Sequence, residues 1–135
     1  MMKFEDLEAW QTARTLTQQV YELTRTAELV RDFGVTGQIQ RASVSIMSNV
    51  AEGFERCHVK EKLQFYNVAR SSTAEVRSLT YVIEDNFPSR APAAISLRDR
   101  AVQTGKLISG LIQSTERRKS SKIVHLVSSI LSLLH

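Results

Sequence analysis

Apolar residues recur along most of the chain at steps of three and four, the repeat that places side chains on one face of a helix. Leu7, Trp10, Ala13, Leu16, Val20, Leu23 and Ala27 form the first stripe, which predicts a helix over about residues 4–28. Phe33-Gly34-Val35-Thr36 interrupts it. Gly34 suits a left-handed turn and Thr36 suits the cap of a second helix. That helix is expected over about 36–55, with Ile39, Ala42, Ile46, Val50 and Phe54 inward. Its weak helix formers, Ser43, Val44, Ser45, Ser48, Asn49 and Gly53, require support from tertiary packing.

After a short connection at Arg56-Cys57-His58-Val59, a third helix is expected over about 59–86. Leu63, Tyr66, Ala69, Thr73, Val76, Leu79 and Ile83 share its inner face. Pro88 and Pro92 force a turn, and Pro92 fits the first turn of a fourth helix over about 91–116. Ile95, Leu97, Ala101, Val102, Leu107, Ile108, Leu111 and Ile112 give that helix its apolar side. Four long helices with short connections specify an all-α, antiparallel up-down four-helix bundle over residues 1–116. No strand-like alternation competes with it.

The remainder, 117–135, reads as an appendage. Arg117-Arg118-Lys119-Ser120-Ser121-Lys122 is expected to be a basic hinge. Beyond it, Ile123, Val127, Ile130 and Leu134 step by four, three and four, which predicts a short fifth amphipathic helix ending at His135. A helix of about 13 residues is marginal alone, so it is expected to dock on something. Serine rather than lysine fills its polar face, which favours protein over lipid as the surface it meets. No run approaches the roughly 18 apolar residues of a spanning helix, and the N-terminus lacks the apolar core of a secretory signal.

Chemistry is thinly signalled. Cys57 is the single cysteine, which fits a reducing cytoplasm and excludes an intrachain disulfide. His58 is adjacent to it, but neighbouring helical residues do not face each other and no third group orients the pair. Glu55 and His58 have the spacing of a di-metal bundle ligand pair, yet no second pair exists, so no metal and no cofactor are expected. Gln38, Arg41, Ser45, Asn49 and Glu52 form a polar stripe on the second helix. Glu52 as a base with Ser45 or Ser72 as nucleophile would need an activating His or Lys that the sequence does not nominate. A polar network that fixes helix register or a subunit interface is the simpler expectation, and the protein is expected not to be an enzyme.

Several blocks resemble a known family: Phe4-Glu5-Asp6-Leu7-Glu8-Ala9-Trp10-Gln11, Tyr21-Glu22-Leu23-Thr24, the stretch from Phe33 to Phe54, and the stretch from Phe65 to Val76. The most specific run is Gln38-Ile39-x-Arg41-Ala42-x-x-Ser45-Ile46-x-Ser48-Asn49-x-Ala51-Glu52-Gly53-Phe54. It is similar to the four-helix-bundle proteins encoded in intervening sequences of bacterial 23S ribosomal RNA genes. Met47 stands where that family usually has Pro, and Arg70-Ser71 where it usually has Gly-Ser. The resemblance implies a ring-like homopentamer and kinship to the accessory variability protein of diversity-generating retroelements, which binds nucleic acid through a basic surface. It supplies no catalytic residues.

Charge changes the picture last. The formal net charge is +4. Residues 1–89 hold 10 Lys and Arg against 12 Asp and Glu, whereas residues 90–135 hold 8 against 2. The excess comes from Arg90, Arg98, Arg100, Lys106, Arg117, Arg118, Lys119 and Lys122, which are the candidate nucleic-acid contacts. No aromatic residue interleaves them, so contact with the phosphate backbone is expected rather than base stacking. The expected partners are further copies of the chain, together with RNA, DNA or a nucleic-acid-processing protein. The alternative is a protein–protein scaffold with no nucleic-acid role.

Overall fold

A computed structural model describes residues 1–134. A 3₁₀ turn, Phe4–Asp6, precedes four helices: α1 Glu8–Thr24, α2 Phe33–Glu55, α3 Val59–Asn86 and α4 Ala91–Leu133. Each packs on its neighbour in the chain, and α4 closes the ring against α1. The result is an all-α, up-down four-helix bundle with a C-terminal helical extension. His135, the expected end of the apolar segment, lies outside the described residues.

The first helix is shorter than its apolar stripe predicts. Leu7 is extended (φ −72°, ψ 127°), which separates the 3₁₀ turn from α1. Asp6 closes that turn by accepting from the Lys3 backbone N–H at 2.9 Å. At the far end the chain leaves the helix at Arg25, and Ala27 is exposed. The connection to α2 is held by Leu29, which is completely buried. A single inward leucine in a turn has no period to betray it.

The second helix begins earlier than expected. Asp32, not Thr36, is its N-cap, accepting from the Val35 N–H at 3.1 Å. An aspartate there satisfies one of the free donors of the first turn. Gly34 is therefore helical, and no described residue has positive φ. Thr36 hydroxyl instead donates to the Asp32 carbonyl at 2.7 Å. Helix α3 has the expected bounds. A 3₁₀ turn, Pro88–Arg90, leads into α4, with Pro92 in its first turn.

The core is aliphatic, with Leu16, Val20, Ile39, Ile46, Val50, Val76, Ile83, Leu97 and Ile108 fully enclosed. The expected inner faces are largely the observed ones, except that Ala27 and Ile95 are exposed. Buried hydroxyls bond back to carbonyls of the preceding turn. Thr24 donates to Val20 at 2.9 Å, Thr104 to Arg100 at 2.7 Å and Thr115 to Leu111 at 2.8 Å. No buried side-chain nitrogen or oxygen among the described residues lacks a partner. In α2, the helix rich in weak formers, Ser43 likewise donates to the Gln40 carbonyl at 2.9 Å, so its buried hydroxyl is satisfied within the helix.

Of the glycines, Gly53 on α2 is the most tightly packed. A Cβ there would stand 2.5 Å from Cε1 of Tyr66, whose ring is buried. The absence of a side chain lets α3 lay its aromatic ring against the α2 backbone. Lys62 completes this corner, donating to the carbonyls of Phe54 at 2.7 Å and Gly53 at 3.3 Å and so capping the C-terminus of α2. Burial, with the Arg118 charge nearby, holds the Lys62 ammonium below its usual range.

The largest departure from expectation is in α4, which is 43 residues long. It does not stop near residue 116. Arg117–Lys122 is helical and forms no hinge, and the apolar segment is its direct continuation rather than a separate fifth helix. The reason is local. The last glycine is Gly110 and the last proline Pro92, so nothing after them breaks the ladder of backbone hydrogen bonds. The apolar segment does not dock on its own bundle either: from Glu116 to Leu134 every residue is exposed. At 1.5 Å per residue the extension projects about 28 Å.

Candidate nucleic-acid interface

The eight candidate cations of the C-terminal third do not form one patch. Arg90, in the turn before α4, and Lys122, far along it, are about 48 Å apart along the helix axis, and the cations between them face different sides. Arg90 is engaged by Glu28, with Nε and Nη2 donating to one carboxylate oxygen at 3.0 and 2.9 Å. A backbone amide and this guanidinium hold the Glu28 carboxyl below the usual carboxylate range. Arg98 is built into the α3–α4 contact. It donates to Thr80 and Glu84, each at 3.0 Å, and its guanidinium lies 3.5 Å from the centroid of the Tyr81 ring. Arg100 turns the other way and donates to Gln19 of α1 at 3.3 Å. Arg90 and Arg98 are thus paired with carboxylates, whereas Arg100 meets only neutral amide oxygens, of Gln19 and Gln103, and keeps its charge unpaired.

Lys106 is placed differently. It borders a cleft of about 480 Å³ between α3 and α4. Arg70 and Arg77 stand along the α3 wall, seven residues apart and hence on one face. Thr73 and Ala74 lie between them, and Gly105, Ser109, Gly110 and Gln113 line the α4 side. Gly105 permits close packing: a Cβ there would come within 3.1 Å of the Thr73 hydroxyl oxygen. Gly110 faces open space. Arg70 is steadied by Asn67 at 2.9 Å and reaches toward Ser109 at 3.5 Å. No carboxylate lines the cleft. The two salt bridges among the described residues, Arg90–Glu28 and Arg98–Glu84, leave all three cleft cations unpaired. Three exposed cations around an open, carboxylate-free groove are suited to an anion such as a phosphodiester backbone.

Arg70 and Arg77 were not legible as site residues. They belong to residues 1–89, the part of the chain with an acidic balance, and only their spacing of seven marks them as neighbours. Arg70 also occupies the first position of the Arg-Ser pair that departs from the family pattern. Arg117, Arg118, Lys119 and Lys122 lie beyond the cleft, exposed around the root of the extension.

The polar stripe of α2 divides in the same way. Ser45 and Ser72 share a hydrogen bond of 2.9 Å across the α2–α3 contact. Asn49 donates to the Ser45 carbonyl at 2.8 Å and to its hydroxyl at 3.1 Å. Gln38, Arg41 and Glu52 are exposed. Glu52 lies beside Glu55 and Arg56 in a shallow depression, and the hydrogen bonds of Ser45 and Ser72 among the described residues do not include it. Cys57 is exposed, as is His58. Among the described residues no three His, Cys, Asp or Glu side chains converge as metal ligands would. No helix among them is long and apolar enough to cross a membrane.

A search of curated proteins finds no match to the chain. The sequence model of the 23S rRNA-intervening sequence protein family matches residues 5–110, a span that takes in α1 to α3, α4 as far as residue 110 and most of the α3–α4 cleft, but not the extension. The chain therefore belongs to the 23S rRNA-intervening sequence protein family.

Proposed function

We propose that the protein is a non-enzymatic, cytoplasmic, homo-oligomeric bundle that binds nucleic acid or ribonucleoprotein through phosphate contacts. The observation that carries this reading is the carboxylate-free cleft bordered by Arg70, Arg77 and Lys106. Arg117, Arg118, Lys119 and Lys122 supply further exposed charge at the root of the extension. Assembly, pentameric as the family resemblance implies, would multiply both clusters around one particle. The non-enzymatic reading is supported by Ser45 and Ser72, whose hydroxyls bond to each other, Ser45 also accepting from Asn49.

A filter-binding salt titration with duplex DNA and with RNA tests the reading. Affinity is expected to fall steeply with salt. Arg77→Ala and Lys106→Ala are each expected to weaken binding to all sequences alike and to flatten the log–log slope by about 0.7–0.9 per lost phosphate contact. No binding at low salt would overturn it.

A second reading, a protein–protein scaffold, is favoured by exposed apolar side chains on the bundle. Phe33 at the start of α2 is 82% exposed, and Tyr81, Val82 and Ile95 are each more than two-fifths exposed. Replacing Arg117, Arg118, Lys119 and Lys122 together by Ala separates the two. Lost protein capture with unchanged nucleic-acid binding would favour the scaffold.

A further inference from the structure

The extension presents an apolar surface with nothing on it. Ile123, Val127, Ile130 and Leu134 form its central stripe. Val124 and Leu131 flank the stripe on one side, Leu126 and Leu133 on the other. All eight are 49–86% exposed. At about 100° per residue they occupy roughly half of the helix circumference. Ser121, His125, Ser128, Ser129 and Ser132 occupy the other half, with Lys122 at its start. The division is complete in heptad terms. From residue 121 to 134 every a, d, e and g position is apolar and every b, c and f position is polar.

We infer that residues 123–134 dock against the same segment of two or more further copies of this chain. Three observations single out that occupant. The exposed apolar side chains amount to roughly 900 Å², above the few hundred Å² a monomer ordinarily leaves bare and close to the roughly 800 Å² each partner contributes to a stable interface. The segment carries no Asp, Glu, Lys or Arg, so copies meet along it without repulsion between side-chain charges. The apolar arc is also wider than the a/d seam of a two-stranded coil, and flanking e and g positions are covered only when each helix has neighbours on both sides. A lipid surface fits less well. An interfacial helix draws on basic residues along its polar face, and here that face is serine and histidine, with cations gathered before residue 123.

The inference rests on the homo-oligomer part of the proposed function and names a surface for it, independent of nucleic-acid binding. Its test uses the full chain with Cys57→Ser as background. Val127→Cys with Ile130→Cys puts thiols on the apolar stripe, and Ser128→Cys with Ser132→Cys puts them on the polar face. Under mild oxidation the first pair is expected to give a ladder of disulfide-linked dimers and larger species, whichever way the helices run, while the second stays largely monomeric. Equal behaviour of the two pairs, or products stopping at dimer, overturns it. Co-flotation with vesicles of equal parts phosphatidylcholine and phosphatidylserine, without cross-linking of the first pair, assigns the surface to lipid and overturns it too. Light scattering on the same samples keeps the two claims separate. An unchanged oligomeric mass without the ladder means assembly through the bundle alone, while a monomeric mass removes both.

Discussion

Helix α4 contains two regions of similar apolar content and opposite fate. Residues 91–115 supply Leu97, Ala101, Ile108 and Ile112 to the core, all enclosed by α1 and α3. Residues 116–134 carry as dense a set of aliphatic side chains on the same unbroken helix, and none is covered. Backbone hydrogen bonding is continuous across both. Burial depends on whether partner helices are long enough, and α1 to α3 end before α4 does. A helix outlasting its bundle exposes whatever its sequence carries, and in this chain that is leucine, isoleucine and valine.

The sharpest test sets Ile108 against Ile130. Ile108→Ala should cost about 2–5 kcal/mol of stability, because a fully enclosed side chain leaves a cavity. The loss, read by urea denaturation, should not depend on protein concentration. Any loss from Ile130→Ala should shrink on dilution, as mass action requires of a contact between copies. A concentration-independent loss at Ile130 would break the comparison.

Tyr66 tests the enclosed region by pH. Burial pushes its phenol up to about 12 from 10.0. The folded state thus favours the protonated form. The associated stability is fully present below pH 10 and is lost as pH rises from 10 through 12. At about 1.4 kcal/mol per pKa unit the loss approaches 2–3 kcal/mol. Tyr66→Phe should flatten stability between pH 10 and 12 relative to the parent chain. An unchanged slope would mean the ring sits in a wetter site than the structure indicates.

Gly53→Ala should cost about 1–3 kcal/mol, since the new Cβ meets the buried Tyr66 ring and Phe65 Cβ together. The same change at Gly110, where a Cβ meets nothing, should stabilise the helix by a few tenths of a kcal/mol up to about 1. Denaturation midpoints of the two variants give the contrast directly. The smallest effect concerns charge. Arg98→Ala should cost about 1 kcal/mol, because its guanidinium bonds Thr80 and Glu84 and stacks on Tyr81. Lys119→Ala, on the exposed extension, should stay within about 0.5 kcal/mol. Equal costs would erase the distinction between tied and free cations.

The bundle was readable because four stripes at helical spacing leave little choice of architecture. Its ends were less readable. Asp32 displaced Thr36 as a cap, and Leu7 broke the first helix, because several side chains compete for each terminus and only geometry selects one. The basic run 117–122 looked like a hinge on charge, but charge does not interrupt a backbone ladder. The candidate site was the least legible part. Arg90, Arg98, Arg100 and Lys106 are equally basic in sequence, yet three are engaged by Glu28, by Thr80 and Glu84, and by Gln19, each distant along the chain.

By itself, then, the sequence determined that the chain is all-helical, which faces turn inward, and that its family is recognisable in the run from Gln38 to Phe54. These are properties of period and local identity. Tertiary structure decided which cations meet carboxylates, how Arg70 and Arg77 come to border the same cleft as Lys106, and that the apolar extension finds no cover within its own bundle. Each of those depends on where separate helices lie and end relative to one another, a distance that no spacing along one strand of sequence encodes.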